Sequence, residues 1–331
     1  MKRVLIIGGG GMVGQKLAHR LSVEGLAGGD GAKAGAGGVE VSLFDMVFPE
    51  GGAPAAHRIT GQLSNPADID ALVAARYDVI FHLAAIVSGE AEADFQKGWD
   101  INGAAVLHLA RRLEEAHRDS GGAYVPRVVF TSSIAVFGPP FPDRIPDNQP
   151  LTPQTSYGAQ KAFAELLFND LGRKGIAETI SIRLPTIVVR PGKANLAASS
   201  FFSGIIREPL NGQEAVLPVE DSVRHWHASP RAAAGFLVHA AGLDMALLGD
   251  NRALTMPGVS CTVAEQIEAL RRVAGDKAVA LIRREPNEAI GRIVAGWPRN
   301  FAPERALALG FEAEADFDAI VRVYIEDELS V

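Results

Sequence analysis

Cysteine, excess positive charge and long apolar runs are all scarce in this chain. Only one of the 331 residues is a cysteine, Cys261, which excludes an internal disulfide framework and a thiolate metal cluster. The formal net charge is −7 at pH 7, so nothing in the composition favours nucleic acid or an anionic membrane. No apolar run reaches the roughly 18–20 residues that cross a bilayer, and the first apolar run leaves no room for a signal peptide before it. These absences predict a cytoplasmic globular protein with neither nucleic acid nor a membrane as partner.

Short apolar runs alternate with helical stretches over more than half of the sequence. Val4–Ile7 is a continuous apolar run closed by four glycines, which is typical of a strand buried on both faces of a parallel sheet. Asn65-Pro66 is a helix start, with Asn as N-cap and Pro at the first helical position. The alternation predicts an α/β fold with a doubly wound parallel (Rossmann) sheet and a smaller mixed α/β C-terminal domain. The other predicted strands are Val39–Phe44, Arg58–Leu63, Val79–Leu83, Val128–Phe130 and Thr179–Arg183, and the predicted helices include Met12 to about Leu26, residues near 99–118 and residues 157–172.

The alternation is interrupted twice and weakens after about residue 190. Gly25–Gly38 is almost all Gly and Ala and predicts a flexible surface loop. Pro139–Pro153 predicts irregular chain, because prolines withhold backbone donors from helix and sheet. Later helices are predicted to start at Ser229-Pro230, at a capping box over Thr262–Glu265 and near residue 316.

Gly8, Gly11 and Gly14 form a G-x-x-G-x-x-G pattern between the first strand and the first helix. The spacing alone is weak in a chain with 35 glycines, but in this position the glycines allow a tight turn and bring backbone close to a pyrophosphate at the helix N-terminus. Asp45 ends the second strand, where a carboxylate accepts hydrogen bonds from an adenosine ribose. An acid there favours NAD, because a 2′-phosphate would meet a like charge, and leaves NADP open as the alternative. We expect residues 1–191 to form the dinucleotide-binding domain, with 214–257 returning to it, and 192–213 and 258–331 to form the substrate domain.

Tyr157 and Lys161 lie four residues apart in a predicted helix and therefore on one face. A phenol ordinarily ionises near about pH 10, and a neighbouring ammonium favours the phenolate. Thr131-Ser132-Ser133 ends a predicted strand, and a serine hydroxyl can hold a substrate oxygen while a hydride leaves the same carbon. Together these residues predict a proton-transfer site; a surface Tyr–Lys pair on an amphipathic helix is the alternative.

Five segments occur in an order that is characteristic of one large enzyme family. They are Ile7–Gly14, His82–Ala85, Phe130–Gly138, Tyr157 with Lys161, and Arg183–Pro185. In this order they resemble the extended short-chain dehydrogenase/reductase family, the group of the NAD-dependent epimerases and dehydratases, over nearly the whole chain. Two residues depart from the family pattern: Ile7 replaces the usual threonine before the first glycine, and Gln62 stands where an acid often contacts adenine.

The resemblance implies a role for each matching residue. It implies that Tyr157 is the acid/base, that Lys161 binds the nicotinamide ribose and tunes Tyr157, and that Ser133 orients the substrate hydroxyl. It also implies that Leu63 lies near the adenine and that Asn102 belongs to the helix behind the active site. The residues expected to bind NAD are Gly8, Gly11, Met12, Val13, Asp45, Leu63, Leu83, Ala84, Ala85, Asn102, Tyr157, Lys161, Pro185 and Ile187.

Three later segments bear on the substrate. Arg183–Gly192, Phe201–Leu210 and Arg224–Pro230 resemble family members that oxidise the 2-hydroxyl of a four-carbon sugar acid to the 2-keto acid. Such a substrate needs a cation for its carboxylate, and Arg224 is the candidate, with a structural ion pair as its alternative role. The expected substrate-binding residues are Ser88, Ser133, Tyr157, Asn195, Ser199 and Arg224.

We therefore expect an NAD-dependent dehydrogenase that transfers a hydride from C2 of a short sugar acid, its small-molecule substrate. A nucleotide-sugar epimerase or dehydratase and a non-catalytic NAD(P)-binding sensor are the alternatives. The eight histidines show no zinc-type spacing with carboxylates or cysteine, so no metal is expected. The family resemblance implies a homodimer formed through the helices near 99–118 and 157–172.

Overall fold

The structure is a computed structural model that describes residues 1–26, 38–192 and 198–329. Most of the predicted Gly/Ala loop, and the predicted substrate residue Asn195, lie outside the described residues. The chain divides into two compact units. Unit 1 comprises Met1–Val136, Thr155–Arg183 and Ala234–Leu254, and unit 2 comprises Phe137–Gln154, Leu184–Ala233 and Thr255–Val331. The domain limits predicted from the sequence stay a prediction, because compactness does not test which residues bind the dinucleotide.

The secondary structure alternates as the apolar pattern predicts. In chain order the strands are β1 (Lys2–Ile7), β2 (Val39–Asp45), β3 (His57–Thr60), β4 (Val79–His82), β5 (Arg127–Ser133), β6 (Ile145–Pro146), β7 (Glu178–Leu184), β8 (Thr186–Ile187), β9 (Ala215–Leu217), β10 (Arg224–Ala228), β11 (Ala253–Thr255), β12 (Val259–Thr262), β13 (Ile282–Arg284) and β14 (Phe301–Ala302). The α-helices are α1 (Met12–Glu24), α2 (Pro66–Ala74), α3 (Ser88–Ala93), α4 (Phe95–Trp99), α5 (Ala105–Asp119), α6 (Ser156–Arg173), α7 (Ser200–Leu210), α8 (Pro230–Gly242), α9 (Val263–Ala274), α10 (Asp276–Val279), α11 (Glu288–Ala295), α12 (Glu304–Ala308) and α13 (Phe317–Tyr324), with π-helical turns at Asp100–Ala104 and Ile325–Leu329.

Unit 1 is built on a seven-stranded sheet with the order β11-β7-β5-β4-β1-β2-β3. β1 lies between β2 and β4 and is parallel to both, with Val4 opposite Val41 on one side and Val79 on the other. The chain winds outward from β1 through β2 and β3, then returns to β4 and β5 on the other side. The strand order therefore reverses between β1 and β4, and the crevice at the carboxyl ends of these two strands is where open α/β sheets bind ligands. This arrangement confirms the predicted doubly wound sheet.

A continuous apolar core joins the sheet of unit 1 to α2, α5 and α6. Leu5 and Val128 from the strands meet Ile69, Leu109 and Phe168 from the helices, and all five side chains are buried. Each such side chain contributes about 1.5–3 kcal/mol through removal of its surface from water. The core therefore fixes α6 against the sheet, and this contact determines where the remaining side chains of α6 lie.

Three elements differ from the sequence prediction. β3 ends at Thr60 rather than at Leu63: the Gly61 amide still donates to the Asp45 carbonyl oxygen of β2, but the Gln62 amide donates to the side chain of Asp68 instead. The helix predicted near 99–118 begins earlier, at Phe95, and contains the π-helical turn Asp100–Ala104. The predicted irregular stretch Pro139–Pro153 contains the two-residue strand β6, which pairs with β14.

Unit 2 contains the three-stranded sheet β12-β10-β8 and two pairs of short strands. The predicted capping box at the start of α9 is confirmed: Thr262 Oγ1 accepts from the Glu265 amide at 3.1 Å, and Glu265 Oε2 accepts from the Thr262 amide at 2.6 Å. The helix predicted to start near residue 316 is confirmed as well: α13 begins at Phe317, and Phe317, Ile320 and Tyr324 are buried in the core of unit 2.

Candidate active site

The glycine loop connects β1 to α1 at the point where the strand order reverses. Gly8 has φ +92°, a conformation that favours glycine, and a Cβ there would lie 2.7 Å from the Ala84 nitrogen. A Cβ on Gly14 would lie 2.3 Å from the Gly8 carbonyl oxygen, so α1 packs directly on the loop. Gly11, in contrast, is the N-cap of α1, and its nearest neighbour would be at an ordinary 3.5 Å. The glycines therefore keep the first-turn amides of α1 open to an approaching anion.

The first turn of α1 suits a pyrophosphate in charge as well as in shape. It contains no acidic residue, and Gly11 supplies no side-chain cap to the first amides. The backbone donors of a helix N-terminus and the positive end of its dipole together favour an anionic ligand. The predicted contacts Met12 and Val13 are the first two residues of this turn.

Asp45 lies beside the glycine loop at the end of β2. Its Oδ2 accepts from the Gly10 amide at 2.9 Å and its Oδ1 from the Met46 amide at 2.7 Å. These two bonds orient the carboxylate, and each of its oxygens has a second lone pair for a ribose hydroxyl. Leu63, expected near the adenine, lies beyond the end of β3 with its side chain buried in the core of unit 1.

The segment after β4 forms the other wall of the crevice. The Leu83 and Ala84 amides donate to the Ile7 carbonyl oxygen, which holds this segment against the end of β1. Asn102, in the π-helical turn, binds the backbone of Ile86 at both ends: its Oδ1 accepts from the Ile86 amide at 3.0 Å, and its Nδ2 donates to the Ile86 oxygen at 3.2 Å. Asn102 therefore shapes the segment that contains Ala84 and Ala85. The predicted substrate residue Ser88 opens α3 directly after it.

Tyr157, Lys161 and the end of β5 are brought together as predicted. The Lys161 ammonium donates to the Thr131 carbonyl oxygen at 2.7 Å and lies 5.6 Å from the centre of the Tyr157 ring. Tyr157 is half-buried, one turn before Lys161 on α6. Ser133 is half-buried at the last position of β5, and its Oγ accepts from the Ala135 amide. The Ser133 hydroxyl keeps its own proton to donate.

Burial controls the charge of Lys161. Removal from water lowers the pKa of Lys161 to about 7, and the nearby Glu165 carboxylate opposes this shift. His82 from β4 is buried as well, and burial together with the Lys161 charge lowers the pKa of His82 to about 3, so its imidazole is neutral. The phenol of Tyr157 therefore has beside it a group that gains and loses its charge near neutral pH.

The sequence reasoning missed two residues of this cluster, Glu165 and Arg183 as its ion-pair partner. Glu165 Oε2 accepts from Arg183 Nη2 at 2.8 Å, and both side chains are almost fully buried. Glu165 follows Lys161 by four residues, just as Lys161 follows Tyr157. That repeat places all three on one face of a helix and was the available signal.

Of the predicted site residues that the structure describes, four belong to unit 2. Arg224 is in β10, where its guanidinium donates to the Ser260 oxygen at 3.1 Å and pairs with Glu265 at 3.2 Å while staying 38% exposed. Ser199 is the N-cap of α7. Pro185 precedes β8, and Ile187 is buried within it.

The histidines that flank Trp226 are packing residues of unit 2. His225 stacks on Phe202 and is hydrogen-bonded to Thr186 Oγ1 and to the Pro298 oxygen, and burial lowers its pKa to about 4. His227 contacts the same phenylalanine ring edge-on and is buried too. Within the described residues, no three His, Cys, Asp or Glu side chains are grouped so that they could hold a metal ion. In the same part of the chain no helix has the length and apolar character needed to cross a membrane.

Known proteins match this chain over nearly its whole length. It is 46% identical to the D-erythronate dehydrogenase of Cupriavidus necator over 325 residues, and this alignment covers 98% of each chain. It is 38% identical to the D-erythronate dehydrogenase of Haemophilus influenzae, over 99% of this chain and 100% of that one. The crystal structure of a nucleoside-diphosphate-sugar epimerase from Agrobacterium tumefaciens superposes with a TM-score of 0.92, at 55% identity, over 99% of this chain and 95% of that one.

The family profile gives the same result. Residues 4–239, which contain the glycine loop, Asp45, Ser133, Tyr157 and Lys161, match the NAD dependent epimerase/dehydratase family. That match covers more than half of the chain and agrees with the resemblance found in the sequence. The chain therefore belongs to the NAD-dependent epimerase/dehydratase family.

Proposed function

We propose that this protein is a D-erythronate dehydrogenase, which oxidises the C2 hydroxyl of the four-carbon sugar acid to 2-oxo-tetronate with NAD. The observation that carries the proposal is the Tyr157–Lys161 pair on α6, held beside the end of β5, in a chain 46% identical along its length to an enzyme of that name. The activity belongs to carbohydrate metabolism.

The residues that would hold the dinucleotide fit its shape and charge. The pyrophosphate would lie against the Gly11 edge of the loop, because a Cβ is missing there and the α1 amides face the same space. Asp45 would accept from the adenosine ribose, and no basic residue follows it before Glu50 to receive a 2′-phosphate. We therefore propose NAD over NADP. When bound, the nicotinamide accepts the hydride from C2 of the substrate.

The protein's own residues supply the proton transfer. Tyr157, as the phenolate, takes the proton of the C2 hydroxyl, and the Ser133 hydroxyl donates a hydrogen bond to the same oxygen. The Lys161 ammonium donates to the Thr131 oxygen and favours the ionised phenol by its charge. The same ammonium would bind the nicotinamide ribose when NAD is present. Arg224 binds the carboxylate, together with the polar residues Ser88, Asn195 and Ser199.

The decisive experiment mixes the purified protein with D-erythronate and NAD and follows NADH absorbance. We expect turnover, and we expect Tyr157→Phe to abolish it while NADH still binds. Assays of a panel of C4 and C6 sugar acids with both cofactors would rank substrates. A fully active Phe variant would refute the role of Tyr157.

A nucleotide-sugar epimerase is the second candidate, because the Agrobacterium tumefaciens relative described as a nucleoside-diphosphate-sugar epimerase is 55% identical. An epimerase returns the hydride to its substrate, so it accumulates no NADH. Incubation with nucleotide sugars and separation of the products distinguishes the two activities. Product formation without net NADH, and no reaction with erythronate, would favour the epimerase.

We also propose a homodimer formed through α5 and α6. The supporting observation is an exposed apolar surface on α6 and on α4, the short helix that precedes α5. Phe95 of α4 and Leu166 of α6 are 65% and 68% exposed, and the rings of Trp99 and Phe163 pack together beside them. Light scattering on the intact protein measures the mass directly. Replacing Leu166 with Glu is expected to yield a monomer.

A further inference from the structure

A buried carboxylate one turn beyond Lys161 connects α6 to the end of β5. Glu165 Oε1 accepts from Ser132 Oγ, and Arg183 donates to both oxygens of the same carboxylate, from Nε to Oε1 at 2.9 Å and from Nη2 to Oε2 at 2.8 Å. The side chains of all three residues are buried. Such a two-point contact between a guanidinium and a carboxylate fixes orientation as well as charge.

Consecutive residues of β5 are thereby bonded to consecutive turns of α6. The Thr131 oxygen accepts from Lys161, and the Ser132 hydroxyl donates to Glu165. Successive side chains of a strand point to opposite faces, so a bond at Ser132 holds the backbone from which Ser133 projects the other way. The distance between the Ser133 hydroxyl and the residues of α6 therefore depends on Glu165.

The charged, polar and aromatic groups around Lys161 belong to four elements. β4 contributes the neutral His82; β5 contributes the Thr131 oxygen and the Phe130 ring, 4.6 Å from the ammonium; α6 contributes Tyr157 and Glu165. β7 contributes Arg183, which reaches the Glu165 carboxylate from the other side. Of these groups Glu165 alone is an anion while Tyr157 is protonated.

We propose that Glu165 is a positioning residue for the dehydrogenase reaction: it keeps Lys161 charged and holds Ser133 in place, while Arg183 fixes the carboxylate. The proposal rests on the proposed function for the roles of Lys161 and Ser133. Glu165 touches neither substrate nor cofactor and acts through these two residues. Its effect is thus partly electrostatic and partly geometric, and separate variants isolate the two parts.

The first test compares pH profiles of kcat/KM for D-erythronate oxidation. Glu165→Gln removes the charge with little change of shape, so we expect the alkaline limb, which reports loss of the Lys161 proton, to move to lower pH by about one unit, with the maximum about tenfold lower. Ser132→Ala is the matched control, because it removes the hydroxyl and leaves the charges. We expect its maximal kcat/KM to fall while the acidic and alkaline limbs of the profile stay at the same pH. A Glu165→Gln profile that is lowered but not displaced would overturn the electrostatic part.

A paired variant guards against misfolding. Glu165→Gln leaves Arg183 as a buried cation without its carboxylate, which is costly. Glu165→Gln combined with Arg183→Met removes both charges and is expected to fold more readily and to displace the limb in the same direction. An undisplaced limb in this double variant would also count against the proposal.

The second test needs no substrate. The pKa of Lys161 is lowered from 10.5 to about 7 in the folded protein, so between these values the unfolded chain holds a proton that the folded chain lacks, and stability rises with pH. Lys161→Met removes this rise. In the Glu165→Gln background we expect the Lys161-dependent rise to begin at lower pH; a rise that begins at the same pH refutes the action of Glu165 on Lys161. Failure of the parent protein to oxidise erythronate would refute the proposed function alone, because this second comparison is read by urea unfolding.

Discussion

Two glycines of the same loop are expected to respond differently to the same added methyl group. A Cβ on Gly14 would lie 2.3 Å from the Gly8 oxygen, well inside the 3.0 Å below which Cβ atoms essentially never approach another atom. The obstacle is backbone, so the loop or the helix must move. Overpacking of this kind costs about 1–3 kcal/mol, and the better helix propensity of Ala returns about 0.5–1 kcal/mol.

Gly14→Ala should therefore lose about 1–2 kcal/mol of stability, which for a chain of this size lowers Tm by about 1–3 °C. Gly11→Ala is the matched control. Its Cβ would meet only the Gly8 oxygen at 3.5 Å, and its φ of −73° suits any residue. We expect its stability to change by less than about 1 kcal/mol, the difference between Ala and Gly as an N-cap.

For NADH binding the expected order of the two variants is reversed: Gly11→Ala, which keeps its stability, should lose affinity. The Gly11 methyl group would occupy the space through which the pyrophosphate reaches the α1 amides, so Gly11→Ala should weaken NADH binding about tenfold or more while Tm stays nearly constant. Thermal unfolding and a fluorescence titration with NADH measure the two quantities. Unchanged NADH affinity in Gly11→Ala would refute the assignment of this loop, and unchanged stability in Gly14→Ala would refute its geometry.

Three further predictions concern other residues. Arg224→Leu should raise KM for an acidic substrate about tenfold or more. Glu265→Gln, which frees the Arg224 guanidinium from its ion pair, should not raise KM. Similar KM values in the two variants would show that Arg224 has only a structural role. Asp45→Ala should narrow the preference for NADH over NADPH about tenfold, measured as a ratio of Kd values, because the charge that repels a 2′-phosphate is gone. Asn65→Ala removes the cap bond from the Ala67 amide and should cost about 1 kcal/mol in urea unfolding with activity unchanged.

Local patterns in the sequence were sufficient for much of the sheet and for several helix ends. The apolar run Val4–Ile7 indicates burial on both faces, and it forms an interior strand of the sheet, between β2 and β4. The Asn65 cap and the Thr262 capping box were predictable because each involves residues within three positions of one another. The family match confirms the resemblance carried by the glycine loop and the Tyr157–Lys161 pair.

Contacts between distant residues were not predictable in this way. The end of β3 depends on Asp68, which binds the Gln62 amide from the next helix. Arg183 was part of a recognised motif, but its partner Glu165 is 18 residues away and on another element. The pairing of Arg224 with Glu265 likewise joins β10 to α9. Sequence spacing reports the face on which a residue lies, and it does not report what packs against that face.

The π-helical turn at Asp100–Ala104 makes the length of the chain there matter more than its composition. The Ala105 amide donates to the Asp100 oxygen, five residues back, so this turn contains one residue more than an α-helical turn. Deleting one residue would restore regular winding and rotate the preceding residues by about 100° relative to α5. The side-chain amide of Asn102 would then no longer reach the backbone of Ile86, and the segment beside the dinucleotide crevice would lose these two hydrogen bonds. Exposed Ala104 can vary freely, whereas we expect an insertion or deletion in this turn to be as damaging as a change in the reacting groups themselves.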